Sequence, residues 1–292
     1  MPIESITEGQ AARGAGHKEQ WLALAWLGAA LILVYLPVLR LLVGQWNEDE
    51  DMGYGFFVPL VAGYMIWEKR SQLAGIEWVS NKWGLVLMIY GGIQMLIGHL
   101  GVELFLSRTA FVISLVGCVL YVCGWKVVKT ISFPLGLLVL MVPIPAIIYN
   151  QITFPLQLFA SSVAEKVLFL LGIPVLREGN VLELPSQKLS VVEACSGIRS
   201  LLALTFLSLT YAGLFDPKRW MRVALLAVTI PIAILSNATR VTLTGIFSEV
   251  NPELASGIFH TMEGVVMYGI SLVLLFFAHQ AINTAWRKFG TR

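Results

Sequence analysis

The sequence predicts an all-α polytopic membrane protein with about eight transmembrane helices, and three observations favour this fold class. First, 57% of the 292 residues are hydrophobic and 13% are charged, whereas a soluble domain typically has about 25% charged residues. Second, the mean hydropathy is +0.76. Third, the charges cluster between long apolar segments, many close to the roughly 20 residues that cross a bilayer as a helix. This composition excludes an ordinary soluble domain.

The chain reads as one membrane domain over residues 21–286, between a polar N-terminal segment (1–20) and a short basic tail (287–292). The N-terminal segment lacks the basic, apolar, small-residue order of a cleavable signal, so we expect the first apolar segment to remain as an anchor. The predicted crossings are 21–43 with a kink at Pro37, 54–67, 83–100, 104–124, 128–148 with a break at Pro143 and Pro145, 197–215, 220–247, and 260–286.

The loop charges predict an orientation. Lys and Arg mark cytoplasmic loops, so the acidic loop 45–51 is placed outside and the loop with Lys69, Arg70 and Lys82 inside. The following loops alternate in the same way. We therefore expect both termini to be cytoplasmic.

Residues 151–171 carry glutamine, serine, glutamate and lysine among apolar residues. This pattern favours an amphipathic helix that lies in the membrane interface or in a groove of the helix bundle over a full crossing. If the segment does not cross, Cys195 lies outside and the basic residues of 218–222 and 287–292 lie inside. A crossing would place those basic residues outside, against the positive-inside rule.

Residues 174–192 read as a β-hairpin. Strands 175–177 and 181–184 flank a Glu-Gly-Asn turn, and 189–192 adds a third strand. Backbone groups of a hairpin would lack partners in hydrocarbon, so we expect it at the outer surface. It leads directly to Cys195.

The segment after the hairpin gathers chemically active groups at the start of a helix. Ser196 is a suitable N-cap, and Gly197 permits close approach of a substrate. The helix N-terminus and Arg199 favour the thiolate of Cys195. Together with Glu193 this predicts a reactive cysteine. An ordinary helix start with an inert cysteine gives the same local pattern, and Ser196 is the alternative nucleophile.

Two further polar residues are predicted at the level of Cys195. Arg240 follows Arg222 by eighteen residues, or about 27 Å of helix, which places it near the outer boundary of the membrane. His260 opens the last crossing after an outer loop. All three residues therefore lie at one level on one side.

These residue types suit acyl transfer. A thiolate attacks a carbonyl, a histidine moves the proton and a guanidinium stabilises the oxyanion. Asn237 shares a helix face with Arg240, and Glu263 shares one with His260 and could orient its ring. The alternatives are that Arg240 extends to lipid head groups and that His260 is an interfacial residue.

The chain resembles the exosortase/archaeosortase family in several blocks. These are Glu-Ala-Cys-Ser-Gly-Ile-Arg (193–199), Asn-Ala-Thr-Arg (237–240), His-Thr-Met-Glu-Gly (260–264) and, upstream, Gly-Tyr-Gly-Phe-Phe-Val-Pro-Leu (53–60) with Trp-Glu-Lys-Arg (67–70). The resemblance runs from about residue 21 to the end. The family often has His-Gly where this chain has Tyr54 and Gly55, which removes the basis for a proton-handling role there.

The resemblance implies a multi-pass cysteine transpeptidase of the bacterial inner membrane. Its substrates would be exported proteins with a C-terminal tail: a Pro-Glu-Pro signal, a membrane helix and a basic end. The family's proposed catalytic residues correspond to Cys195, Arg240 and His260. Arg199 or Arg177 is a candidate for binding the glutamate of the signal. We expect contact with membrane lipid, an unidentified envelope acceptor, and no cofactor, metal or nucleic acid.

Three other functions fit parts of the sequence. A transporter or flippase for an envelope lipid or polysaccharide would need a polar path, but residues 201–215 and 223–235 carry no charge. An intramembrane protease that only hydrolyses would share the chemistry of Cys195. A thiol oxidoreductase would need a second cysteine beside Cys195, and Cys118 and Cys123 read as core residues; three cysteines also exclude a disulfide scaffold.

Overall fold

The structure, a computed structural model, describes residues 3–191, 197–216, 218–251 and 257–289. The side chains of residues 3–18, 50, 51, 197–200, 257–264 and 289 are outside this description. The chain forms two compact units, Met1–Pro143 and Ile144–Arg292. The predicted class is confirmed: the described chain is mostly helical with one small sheet.

Twelve α-helices and three strands make up the described chain. They are α1 Ile3–Val34, α2 Leu36–Glu48, α3 Phe57–Glu68, α4 Arg70–Ala74, α5 Trp83–Leu100, α6 Leu104–Cys123, α7 Trp125–Thr130, α8 Ser132–Leu137, α9 Ala146–Leu170, β1 Leu176–Glu178, β2 Val181–Glu183, β3 Lys188–Ser190, α10 Gly197–Phe215, α11 Arg219–Val250 and α12 Gly257–Phe289. Short 3-10 helices cover Glu50–Phe56 and Leu138–Met141. The predicted hairpin and third strand are confirmed as an antiparallel sheet in the order β1-β2-β3.

Within the described residues, fewer helices than predicted are long and apolar enough to cross a membrane. Four described helices are long and apolar enough to cross: Trp83–Leu100, Leu104–Cys123, Arg219–Val250 and Val265–Lys288. Six result if each of two bent helix pairs is one span. In α10 the part with described side chains, Leu201–Phe215, is apolar but shorter. The predicted eight crossings are therefore not confirmed.

Two predicted crossings account for much of this difference. The second coincides with α3, whose 12 residues reach only about 18 Å at 1.5 Å per residue, against a hydrocarbon core of about 30 Å. The fifth is divided into α7, α8 and a 3-10 turn. As predicted, helix stops at Pro143 and Pro145 and resumes at Ala146.

The predicted kink at Pro37 is confirmed. Helix α1 ends at Val34, and Glu19–Val34 meets α2 at 70°. Pro37 lies at the start of α2, where a missing backbone N–H costs nothing. Its ring excludes a straight continuation of α1, because it would clash with the carbonyl four residues earlier.

Helices α5 and α6 pack closely in the first unit through glycines seven residues apart. Gly84, Gly91 and Gly98 are the buried residues of α5. A Cβ atom on Gly84 would overlap the backbone of Tyr121 and Gly117 in α6. Small residues at such positions let helix backbones approach each other in a membrane.

Substitution of Gly84 by alanine is expected to destabilise this helix pair by about 1–3 kcal/mol, because backbone must move to admit the methyl group. Gly92, on the same helix, is the matched control, since a Cβ there meets nothing within 4 Å. Thermal unfolding of the purified protein in detergent should show a lower Tm for Gly84→Ala than for Gly92→Ala. Equal Tm values for the two variants would contradict this packing.

Helix α9 in the second unit is amphipathic, as predicted, but its polar side is the buried one. Thr153, Gln157 and Ser161 are at most 8% exposed. Phe154 and Phe169 are 51% and 73% exposed. A helix between lipid and water would instead present its polar side to solvent. Of the two predicted positions, the buried polar side therefore favours the groove of the bundle over the membrane interface.

The core of the second unit has two parts. One lies among α9, the sheet and α11, with Leu168, Leu182 and Val191 completely buried. The other lies among α10, α11 and α12, with Met221 and Leu225 completely buried. The sheet is thus part of the packed unit rather than a loose appendage.

Candidate active site

The relative direction of α11 and α12 follows from two contacts. Trp220 at the start of α11 stacks on Trp286 near the end of α12, with ring centroids 4.6 Å apart. Midway along, the Ser271 hydroxyl of α12 donates to the Ser236 hydroxyl of α11 over 2.9 Å. The two helices are therefore antiparallel.

Helix α10 runs parallel to α12. Tyr211, near the end of α10, is hydrogen-bonded through Oη to Nδ1 of His279, near the end of α12, at 2.9 Å. The start of α10, the end of α11 and the start of α12 consequently lie at the same end of the second unit. The sequence placed Cys195, Arg240 and His260 at this end.

The register also gives the depth of Arg240. Ser236 lies opposite Ser271; Arg240 is four residues beyond Ser236, whereas His260 is eleven residues before Ser271. At 1.5 Å per residue, the Arg240 backbone lies about 10 Å deeper in the bundle than that of His260. The sequence had put them at one level. The Arg240 side chain is half-buried, and its carbonyl accepts from the Thr244 hydroxyl at 3.0 Å.

Several predicted site residues fall outside the described parts of the chain. Residues 192–196 are outside it, and for α10 and α12 the first turns are described as backbone only. The predictions concerned are those for Glu193, Cys195, Ser196, and the side chains of Arg199, His260 and Glu263. Helix α10 begins at Gly197 as predicted, and α12 begins at Gly257, which puts His260 in its first turn.

The sheet fixes the chain as far as Val191, four residues before Cys195. Val191 is fully buried, and its N–H donates to the carbonyl of Asn180 at 3.0 Å. The Asn180 side chain in turn donates to Gln157 Oε1 of α9 at 3.0 Å. The Ser161 hydroxyl of α9 donates to the Gly179 carbonyl at 3.1 Å. The β1–β2 turn is therefore anchored on α9, and Val191 is anchored on that turn.

Two carboxylates add to this anchoring. Glu249 of α11 accepts from the Ser186 backbone N–H at 3.0 Å. Glu165 of α9 accepts from Arg177 Nε at 2.7 Å. The Arg177 charge is thus already paired, which disfavours the predicted role of Arg177 in binding a substrate carboxylate and leaves Arg199 as the candidate.

Loss of the anchor at Gln157 is expected to destabilise the second unit and to displace the candidate site. Gln157→Ala removes the hydrogen bond to the half-buried Asn180 amide, a loss of about 0.5–1.5 kcal/mol in the free energy of unfolding. Small displacements at a reacting centre cost up to about 100-fold in rate. The measurements are Tm in detergent and the rate, in membranes, of the tail removal that the family resemblance implies.

The matched control for Gln157→Ala is Lys188→Gln in the same sheet. Lys188 pairs with Glu183, whose hydrogen bond and charge raise the pKa of Lys188. Its side chain is 74% exposed, so the pair is screened by water. We expect wild-type Tm and rate for this variant. An equal loss in both variants would show that the anchor on α9 has no special role.

Asn237 lies against a small cavity beneath the start of α10. The side chain is 6% exposed, and the rest of the lining is apolar: Leu156, Leu201, Ala233 and Ile234. The cavity volume is about 10 Å³, close to the minimum for one water molecule. The cavity thus offers a polar position between α9, α10 and α11, one turn before Arg240.

The structure also contains a buried polar cluster that sequence reasoning missed. His279 Nε2 lies 3.3 Å from Asp216 Oδ2, and the two residues are 6% and 5% exposed. His279 follows His260 by nineteen residues, or about 28 Å along α12. The cluster therefore lies at the opposite end from the candidate site. An ionisable residue inside an apolar run is the signal that could have revealed it.

Comparison with known proteins agrees with the sequence blocks. The family model described as "Transmembrane exosortase (Exosortase_EpsH)" matches residues 46–277. That range includes the cysteine, arginine and histidine blocks and most of both units. No curated protein and no solved structure matches the chain significantly.

Proposed function

Because the chain belongs to the transmembrane exosortase family, we propose that it is a cysteine transpeptidase of the bacterial inner membrane. It cleaves the C-terminal sorting tail of exported proteins and transfers them to an envelope acceptor. The supporting observation is that the start of α10, the Arg240 half of α11 and the first turn of α12 lie at one end of the second unit. In our proposal this end faces the extracytoplasmic side.

The first half-reaction forms a thioester. The Cys195 thiolate attacks the carbonyl carbon of the scissile peptide, and the carbonyl oxygen becomes an oxyanion. Arg240, reaching up from deeper in the bundle, stabilises that charge. The C–N bond then breaks, His260 donates a proton to the leaving amine, and the tail departs.

The second half-reaction releases the acyl group. An amine or hydroxyl of the acceptor attacks the thioester carbonyl, and His260 removes its proton. The C–S bond breaks and Cys195 returns as a thiolate. Glu263, one turn after His260, orients the imidazole, and Asn237 supports the α11 face that carries Arg240. Glu193 and Ser196 shape the segment around the nucleophile, and Arg199 binds the glutamate of the signal.

The anchored sheet gives this proposal a physical basis. A nucleophile needs a fixed position relative to its base and to the oxyanion site. The contacts of Val191, Asn180 and Gln157 fix the chain four residues before Cys195. Helix α10 starts two residues after it. A segment this short between two fixed points restricts where the thiolate can lie.

A transporter or flippase is less consistent with the packing of the second unit. It would require polar groups directed at a path across the membrane. The hydroxyls of Thr229 and Thr242 instead donate to carbonyls of their own helix, at 2.8 and 2.9 Å. The Ser271 hydroxyl joins α12 to α11. These side chains serve helix packing.

The test is a processing assay in bacteria that lack the protein. A tagged export substrate carries either the complete tail or a tail with the Pro-Glu-Pro signal scrambled. With the wild-type chain we expect the complete tail to be removed and the scrambled one retained. Mass spectrometry of the shortened substrate then distinguishes transfer, which adds the mass of an acceptor, from hydrolysis, which adds water.

Two outcomes would count against the proposal. If the substrate stays full length in cells where the protein is correctly inserted, the proposed peptidase activity is wrong. If every shortened substrate has a free carboxyl terminus, the reaction is hydrolysis rather than transfer. That result would support the intramembrane protease alternative. Transport would be indicated if loss of the protein left processing intact and blocked export of an envelope polymer.

A further inference from the structure

An apolar groove of about 290 Å³ lies between α10 and α12, remote from the candidate active site. Its walls include Leu207 and Leu214 of α10 and Leu272 and Phe276 of α12. Thr210 also lines it and is 8% exposed. Within the described residues its hydroxyl has no hydrogen-bond partner. The groove is therefore apolar with one buried hydroxyl that lacks an acceptor.

One end of the groove is polar. Tyr211 lines the groove and contacts His279, which in turn contacts Asp216. Beyond Asp216 along the chain, Lys218 Nζ donates a hydrogen bond to Asn283 Oδ1 of α12 at 3.1 Å. These contacts connect α10 and the turn after it to α12, so the groove ends at this polar crosslink.

Beyond the crosslink the surface is basic and aromatic. Trp220 and Trp286 stack there, as expected for residues at the edge of a membrane. Five basic residues and one acidic residue, Asp216, occupy this end of α10, α11 and α12 in the sequence; the basic ones are Lys218, Arg219, Arg222, Arg287 and Lys288. The groove thus leads from hydrocarbon depth to a positively charged edge.

From this arrangement we infer that the groove between α10 and α12 is a binding site for one anionic phospholipid. An acyl chain fills the apolar part. The Thr210 hydroxyl donates a hydrogen bond to the ester carbonyl, which lies just below the phosphate in a phospholipid. The phosphate binds Lys218 and Arg219 at the basic edge. The inference is independent of Cys195, Arg240 and His260.

Charge favours a lipid over a helix of another protein. Membrane segments carry Lys and Arg at their cytoplasmic ends, and the basic edge marks this end of the groove as cytoplasmic by the same rule. A second protein helix would therefore bring like charges to Lys218 and Arg219. It would also need room for a cylinder about 10 Å wide, whereas the groove suits a single chain.

The test is native mass spectrometry of the full chain in detergent, titrated with phosphatidylglycerol or with phosphatidylcholine of the same acyl chains. We expect wild type to retain one phosphatidylglycerol in clear preference to phosphatidylcholine. Lys218→Gln with Arg219→Gln should weaken phosphatidylglycerol binding roughly 25-fold, since each basic residue at a membrane surface contributes about fivefold. It should leave phosphatidylcholine unaffected.

Further variants test the groove itself. Leu272→Trp fills it and should weaken both lipids, and Thr210→Val should weaken both to a smaller extent. The control for charge is Lys82→Gln with Lys126→Gln, which removes two positive charges from the first unit. The affinity of this variant for both lipids should equal that of wild type. If Leu272→Trp misfolds, the Lys218/Arg219 variant decides alone, because these residues lie at the edge.

Three results would overturn the inference. One is equal affinity of wild type for the two lipids. Another is full phosphatidylglycerol binding by a folded Leu272→Trp variant. The third is a purified protein whose groove is occupied by a segment of another protein, identified by crosslinking from a photoreactive residue at Leu207.

Discussion

Replacing Cys195 by alanine is expected to stop removal of the sorting tail. Removal of a covalent nucleophile costs at least about 10³-fold in rate, because the residual activity comes only from binding and oxyanion stabilisation. The time course of substrate shortening, followed by blot in membranes, measures this loss. A hydroxylamine-sensitive adduct between substrate and enzyme should be present with wild type and absent with Cys195→Ala.

The matched controls are the other two cysteines. Cys118 and Cys123 lie in α6 and are 1% and 2% exposed, so their replacement by alanine changes the packing of the first unit only. We expect both variants to process substrate at the wild-type rate per folded enzyme. If Cys195→Ala still forms the adduct and Ser196→Ala does not, the nucleophile is Ser196 and the cysteine assignment fails.

The two histidines of α12 are expected to differ sharply when each is replaced by glutamine. His260→Gln removes the proposed acid and base and should slow processing by about 10²- to 10⁴-fold. Its Tm should stay at the wild-type value, because His260 lies in the first turn of the helix. The rate of processing at saturating substrate, together with Tm in detergent, measures both effects.

His279→Gln provides the contrast on the same helix. It breaks the contact with Asp216, or that with Tyr211, and disturbs a buried cluster. Tm should therefore fall, since a buried carboxylate without its partner is costly. The rate per folded enzyme should remain close to wild type, as His279 lies about 28 Å from His260. The proposed site would be wrong if His260→Gln kept wild-type activity. It would also be wrong if His279→Gln were inactive but as stable as wild type, because the reaction would then depend on the opposite end of α12.

Long apolar segments were the most predictable part of this protein. The bounds of α5 agree with the predicted crossing, and those of α6 differ by one residue at its end. A membrane requires each crossing helix to satisfy its own backbone hydrogen bonds, so hydropathy and length predict such helices locally. The kink at Pro37 and the break before Ala146 were predictable for the same local reason, since proline acts through its own ring.

The count of crossings was less predictable. An apolar run shows that a segment avoids water, but it does not show whether lipid or protein surrounds it. Helix α3 is apolar yet too short to cross, and the fifth predicted crossing is divided into the short helices α7 and α8. Helix α9 contains polar residues yet exposes phenylalanines, because Gln157 and Ser161 are directed at protein groups.

The sequence by itself determined the class of protein, the family blocks and the end of the bundle at which the candidate residues lie. It could do so because a helix rises by a constant amount per residue, so counting residues gives depth along one helix. Only the tertiary structure decided the offset between helices. The Ser236–Ser271 contact sets it and places Arg240 below His260. The anchoring of Val191 on α9 and the groove between α10 and α12 likewise depend on side chains distant in sequence, whose packing no local pattern specifies.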